Sequence, residues 1–302
     1  MKRTILNDVL FPTLDRPLYH YTTQKGLLGI IKSREMWVTH TQYLNDRREF
    51  VHAVDLVREE IRRLLDISST DSAKTESLRR MESALQWPLE SANVCVCSFS
   101  EEQDSLSQWR AYGTETSGFA IGFSSELLKA ATAAKGWFLA RCIYDPPQQR
   151  EIVQSLVEEV LEENLSEETG MTGIDKDLHE LHLQQGGNLI PYLNRYAPIL
   201  KDDSFREEKE WRVISRPLFN SSKFFEFREG RSLLIPYSRF PLFTEDFKFH
   251  LHKVVIGPTQ DPGRSRSSVL NFLMHEDLFG GDLFGDSTAV TVEISKVPYR
   301  AW

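Results

Sequence analysis

The sequence predicts an α+β fold with a mixed, largely antiparallel sheet core and helical insertions. Short β-rich runs alternate with amphipathic stretches through the first half of the chain. Several strand-like runs then follow one another in the second half with one helix among them. No internal repeat or low-complexity tract points to a solenoid or a coiled coil. Leu18–Thr22 is a short aromatic-rich strand after Pro17, and Thr22 or Thr23 can cap a helix through Leu27, Leu28, Ile30 and Ile31. Met36–Thr39 reads as a second strand. From Arg47, apolar residues Phe50, Val54, Val57, Ile61 and Leu64 recur at steps of four and three, the stripe of a long helix. A surface helix is expected over Ser69–Leu89. Strands follow at Ala92–Ser98, Gly118–Phe123 and Trp137–Tyr144, separated by helices at Asp104–Tyr112 and Ser125–Ala134. Gln148–Leu165 is acidic and amphipathic. Residues 166–177 read as a linker or mobile loop, and a helical Leu178–Leu193 follows. The late strands are Glu210–Ser215, Lys223–Phe227, Ser232–Tyr237, Phe249–Ile256 and Thr288–Ser295, with a helix at Arg264–His275.

A chain of 302 residues with 40% hydrophobic and 26% charged residues can bury a sizeable core, which excludes a wholly disordered protein. We expect a single α+β domain over residues 1–302, with residues 147–200 as a helical insertion. The formal charge of −8 argues against a generic polyanion binder. The opening Met1–Asp8 has no apolar stretch of the kind a secretory signal needs, and no run approaches the roughly 20 apolar residues that span a bilayer. A cytoplasmic protein without a membrane partner is expected. Cys95 and Cys97 share one strand face and suit reduced core thiols better than metal ligands. His250 with His252, and His179 with His182, lack a carboxylate-supported third ligand, so no metal is expected.

Four clusters place polar and aromatic residues where simple packing would not. In the first, Leu18-Tyr-His-Tyr-Thr22, His20 could meet a ribose hydroxyl or shuttle a proton. It equally suits a core imidazole bonded to a backbone carbonyl. In the second, Tyr43-Leu-Asn-Asp-Arg-Arg-Glu49, Asn45 or Asp46 caps the long helix and Glu49 completes a capping box. Tyr43 and the Arg47–Arg48 pair are left at a helix N-terminus, where anions are favoured. The third is Ser98-Phe-Ser100 followed by Asp104, Trp109 and Tyr112. Asp104 is the expected N-cap there, and the two aromatics recur at core spacing. No Gly-x-Ser-x-Gly elbow supports a serine hydrolase. In the fourth, Phe205–Ser215, a strand from Glu208 would align Glu208, Glu210 and Arg212 on one face, opposite Trp211 and Val213. Such a row is costly to bury unless it forms a paired network.

In this order, the clusters resemble a bacterial family of unknown function with H-Y-T, N-D-x-x-E, F-S…D-x(4)-W-x-x-Y, G-x-x-I-G-F and F-x-x-E-x-E-W-R motifs. They are His20-Tyr21-Thr22, Asn45-Asp46-Glu49, Phe99-Ser100 with Asp104, Trp109 and Tyr112, Gly118 to Phe123, and Phe205 to Arg212. Many relatives carry His where this chain has Thr116. The layout is also similar, more distantly, to ADP-ribosyltransferases, which open on a His-x-Ser/Thr strand end and finish with a strand glutamate. That resemblance implies an ADP-ribosyltransferase-like fold and NAD as substrate. It implies catalytic His20, Glu210 and Glu208, with Tyr21, Thr22, Tyr43, Trp37, Asn45 and Arg212 holding NAD. His20 would hold the ribose and Tyr43 would stack the nicotinamide. The Glu210 carboxylate would stabilise an oxocarbenium-like transition state, so His20, Tyr43 and Glu210 should line one cleft. The acceptor would be water, a protein or a nucleic acid. A toxin or antiviral-defence effector, with a cognate antitoxin or defence-system partner, is the implied setting. The alternatives are a non-catalytic interaction module, its E-x-E-W-R row a structural ion network, and a nucleic-acid processing enzyme.

Overall fold

The computed structural model describes residues 5–44, 48–68, 72–86, 94–112, 118–167, 187–217, 224–230, 232–243, 249, 251–278 and 290–298. After α1 (Ile5–Leu10) come β1 (Leu18–Thr22), α2 (Gln24–Ser33) and β2 (Glu35–His40). The Thr23 hydroxyl accepts the Gly26 N–H and so caps α2, which ends where Arg34 turns left-handed at φ 55°. A 3₁₀ turn at Thr41–Tyr43 leads towards the long α3 (Arg48–Ile67), then α4 (Ser72–Ala84) and β3 (Cys95–Ser100). Next are α5 (Leu106–Tyr112), β4 (Phe119–Phe123), α6 (Ser125–Lys135), β5 (Phe138–Arg141) and α7 (Pro146–Glu167). The Asp145 carboxylate accepts from Gln148 N at 3.1 Å where α7 begins, with Pro146 as its first residue. The chain continues through α8 (Leu189–Tyr196), two 3₁₀ turns at Ala197–Ile199 and Asp203–Glu208, and β6 (Glu210–Ile214). It closes with β7 (Glu226–Glu229), β8 (Leu234–Pro241), β9 (Lys253–Ile256), α9 (Pro262–His275) and β10 (Thr291–Ile294).

The described strands form one sheet in the order β10-β9-β4-β1-β3-β2-β8-β7, with β6 pairing β3 and β5 pairing β6. Every pairing is antiparallel except β10 on β9. The mixed, mostly antiparallel α+β architecture is therefore as predicted.

The sheet forks at β3. One flank of β3 is paired continuously with β6, from Val96 opposite Ile214 to Ser100 opposite Glu210. The other flank is shared. β1 meets it at Ser100, and β2 meets it at Cys95 and Val96. Between these two footholds β1 and β2 separate, and among the described residues the middle of β3 has no ladder partner on that side.

Helices cover both faces. Leu27, Ile30 and Ile31 of α2, Leu127, Leu128 and Ala131 of α6, and Val269 and Leu273 of α9 pack on the face carrying Cys97, Phe99, Trp211 and Val213. The opposite face carries Val96, Ala140 and Ile214 under α1, α3, α4, α7 and α8. The segment predicted as an insertion over residues 147–200 thus contributes α7 and α8 to the same core as α3. The predicted linker and the start of the following helix lie largely outside the described residues. Cys95, Cys97 and Cys142 are buried, and none of them forms a disulfide among the described residues. Among the described residues no helix is long and apolar enough to cross a membrane.

Candidate functional site

On the face that holds α3, a cleft of about 940 Å³ opens over β1, β3 and β6. Tyr19 and Tyr21, Ser98 and Ser100, and Glu210 and Arg212 form its floor, because the strand register turns these alternate residues the same way. Val51, His52 and Asp55 of α3 make one wall. Ser107, Gln108, Ala111 and Tyr112 of α5 make another, and the chain from Lys201 to Glu208 closes the end.

Four charged groups meet at that end. Lys201 Nζ lies 2.5 Å from Glu208 Oε2 and 2.5 Å from Glu210 Oε2. Arg212 donates to both oxygens of Glu210, at 2.7 and 3.1 Å, and to the Pro198 carbonyl at 2.8 Å. The side chains of Lys201, Glu210 and Arg212 are only 4–6% exposed, whereas Glu208 keeps 28% of its surface open. Burial alone would raise the Glu210 pKa, but Arg212 and Lys201 outweigh it and hold the group at about 2. Glu210 is ionised, and its charge is already matched.

The predicted strand face from Glu208 to Arg212 needs one correction. Glu208 ends a 3₁₀ turn, and the strand starts at Glu210. Lys209 between them is left-handed at φ 43°, so the two-residue alternation of a strand does not apply there. Both carboxylates still converge, because Lys201 bridges them and Ser100 Oγ pins the Glu208 carbonyl at 2.7 Å.

Two further groups complete the cleft. Tyr112 is 39% exposed. Withdrawal from bulk water, then the Glu210 and Glu208 charges, push its phenol up to about 12. The third motif explains its placement. Asp104 does not cap α5, since the first turn closes on the Ser105 carbonyl through Trp109 N. Its carboxylate instead accepts Trp109 Nε1 at 2.7 Å, Ser295 Oγ at 2.5 Å and Lys296 N at 2.8 Å. That clamp fixes α5 with Tyr112 at its cleft end. Gly257 permits it, for a Cβ there would stand 2.9 Å from the Gly118 carbonyl and 3.0 Å from the Trp109 ring. On the α3 wall, His52 Nε2 is 3.0 Å from Gln149 Oε1.

The convergence expected from the ADP-ribosyltransferase resemblance is not formed. Glu208, Glu210, Arg212 and Tyr21 line the cleft. His20 lies on the other face of the sheet, 3.8 Å from Cys97 Sγ and tilted against Phe99. Its Nδ1–H donates to the Ser98 carbonyl at 2.9 Å. That carbonyl lies in the part of β3 that the fork leaves unpaired, so the imidazole takes the place of the absent strand. The physical reason for the misplacement is strand parity. Tyr19 and Tyr21, not His20, share the face of Glu210. Thr22 follows His20 in that alternation, its hydroxyl lying where a Cβ on Gly26 would fall. Trp37 stacks on Tyr237 at 4.4 Å, and Tyr43 stands edge-on to His40. Neither lines the cleft. Asn45 lies outside the described residues, as do the side chains of Arg48 and Glu49.

Sequence reasoning missed Lys201, His52 and Asp55, and set Tyr112 aside as core. Tyr112 had a signal, the phenol following a strand serine pair and an acidic clamp residue. Lys201 had none, since its partners are brought to it only by the turn at Asp203–Glu208.

The fold and the cleft define an α+β protein with a deep polar site floored by a buried ionic network. Residues 108–213 match a family model described as a protein of unknown function, DUF2971. That stretch carries Tyr112, Lys201, Glu208, Glu210 and Arg212, while His20, Trp37 and Tyr43 lie outside it. No curated protein and no solved structure matches the chain.

Proposed function

We propose that the protein is a binding module whose cleft holds a nucleoside-sized ligand rich in hydrogen-bond donors, with the E-x-E-W-R row as a fixed ionic floor rather than catalytic machinery. One observation carries this reading. Glu210 is buried and ionised, and both its oxygens are taken by Arg212 and Lys201. A carboxylate so neutralised has little charge left for a developing cation. The volume is that of a small-molecule site. Its lining supplies four carboxylates, Asp55, Asp202, Glu208 and Glu210; Lys201 and Arg212 engage the last two and Arg58 pairs with Asp55 at 2.6 Å, so the excess negative charge rests on Asp202. Such a lining accepts hydroxyl and amine donors and favours positive charge. It opposes a pyrophosphate.

Nicotinamide riboside tests this directly, because it carries ribose hydroxyls and a pyridinium charge without the pyrophosphate of NAD. Calorimetric titration should show it binding at least as tightly as NAD, with affinity reduced in Glu208→Gln. Tighter binding of NAD, or of free pyrophosphate, would refute the electrostatic argument.

A second reading, NAD-dependent ADP-ribosyl transfer, is favoured by Glu208 itself. Its carboxylate reaches the cleft, and only one of its oxygens is bonded to Lys201. In that reading Glu208 stabilises the oxocarbenium-like centre. Labelled NAD would then release nicotinamide, and Glu208→Gln would suppress the release while His20→Ala would not.

A further inference from the structure

We propose that His52 is the proton acceptor of the cleft, presented to the ligand through Nδ1 and held in that tautomer by Gln149. A chain of hydrogen bonds, its direction fixed at the far end, sets that tautomer. Gln149 is buried at the start of α7, and its Nε2 donates to two backbone carbonyls, Ile143 and Lys201, each at 2.7 Å. Two carbonyls accept only from N–H, so the amide cannot be flipped. Its Oε1 therefore faces His52 as an acceptor, and His52 Nε2 must carry the proton across the 3.0 Å contact. A neutral imidazole protonated at Nε2 has its lone pair at Nδ1.

His52 lines the cleft, and no described residue bonds its Nδ1. The arrangement matches the way a general base or a ligand-reading histidine is oriented by a partner on its other nitrogen. Here the orienting residue is a neutral amide, so it sets the tautomer without adding charge. The same Gln149 also grips the backbone of Lys201. The base on the α3 wall and the cation on the floor are thus positioned by one side chain. Placed there, Nδ1 takes a hydrogen bond from a hydroxyl or amine of the bound molecule. If the ligand is NAD, it is the group able to draw a proton from the attacking acceptor. This inference rests on the reading of the cleft as the ligand site.

The experiment has two parts. Nitrogen-15 spectra of the full chain at about pH 8, above the ordinary imidazole range, report the tautomer without any ligand. His52 should show a pyrrole-type Nε2 and an imine-type Nδ1, and Gln149→Leu should abolish that preference. The second part titrates nicotinamide riboside into wild type, His52→Gln and His52→Ala. Glutamine can still donate to Gln149 and offers an amide oxygen in place of the imine nitrogen, so His52→Gln should keep the wild-type melting temperature and bind close to wild type. His52→Ala, losing both contacts, should bind about tenfold more weakly. A proton found on Nδ1 would overturn the proposal, as would undiminished binding by His52→Ala. If nicotinamide riboside and NAD both fail to bind wild type, the cleft reading falls and the role of His52 falls with it. Binding by wild type that His52→Ala leaves undiminished removes the role of His52 and not the cleft reading.

Discussion

Replacing Glu210 with Gln separates a structural ion network from a catalytic carboxylate. In the native cleft two carboxylates and two cations balance among Lys201, Glu208, Glu210 and Arg212. The substitution leaves Lys201 its bond to Glu208 and Arg212 its bond to the Pro198 carbonyl. It also leaves one unmatched positive charge among side chains that are only 4–6% exposed. Breaking a buried pair in this way costs about 3–5 kcal/mol. Linkage gives an independent figure. Holding Glu210 at about 2, against its ordinary 4.5, corresponds to about 3 kcal/mol of stability at neutral pH. With an unfolding entropy of about 2 cal/mol/K per residue over 302 residues, the expected fall in Tm is about 5–8 °C. The sign of the pH dependence follows. The folded pKa is depressed, so the contribution is complete above about 4.5 and is lost as pH falls through about 2. Melts of wild type and Glu210→Gln should converge as the solution is acidified through that window. Calorimetric melts from neutral to acid pH, paired with labelled-NAD turnover, make the assay. An unchanged Tm at neutral pH together with a collapse in turnover would refute the structural assignment and restore Glu210 as a catalytic group.

Two other outcomes follow from the same geometry. Asp104→Asn weakens three bonds to a charged acceptor, so stability should fall by about 1–3 kcal/mol. Amide exchange should quicken in α5 and at residues 295–297 while β3 and β6 stay protected. Burial lowers the His20 pKa, partly offset by its bond to the Ser98 carbonyl, so the folded protein resists protonating this imidazole. Its stability relative to His20→Asn should be greatest above pH 6.5 and shrink as pH falls below it, which melts across that range would measure.

Most elements were legible because their periodicity is strong. The α3 stripe from Val54 to Leu64 and the apolar β4 run each obey one period, and both lie in the core. The E-x-E-W-R row was legible as an ionic network because two carboxylates and a guanidinium cannot be buried singly. Which face each residue takes was harder. His20 and Tyr21 are adjacent and both polar-tipped, and only the register of β1 against β3 and β4 decides between them. The fork that turns His20 into a substitute for a strand is a property of three strands together. Lys201 and Gln149 illustrate the remaining gap. Their bonds join segments far apart in the chain, and no local pattern of spacing or propensity encodes such a meeting.

The Asp104 clamp also has a bearing on the order of folding. Its bonds to Ser295 and Lys296 span 191 and 192 residues, whereas β1 needs only residues up to 123 to complete its ladder with β4. Contacts between distant segments form late because loop closure must be met first. During synthesis the helix bearing Tyr112 can meet Tyr21 early, but its Asp104 clamp closes only once residues 295 and 296 have arrived. Nascent chains stopped short of residue 295 would hold most of the sheet and an unfinished cleft, a built-in delay between having a core and being able to bind.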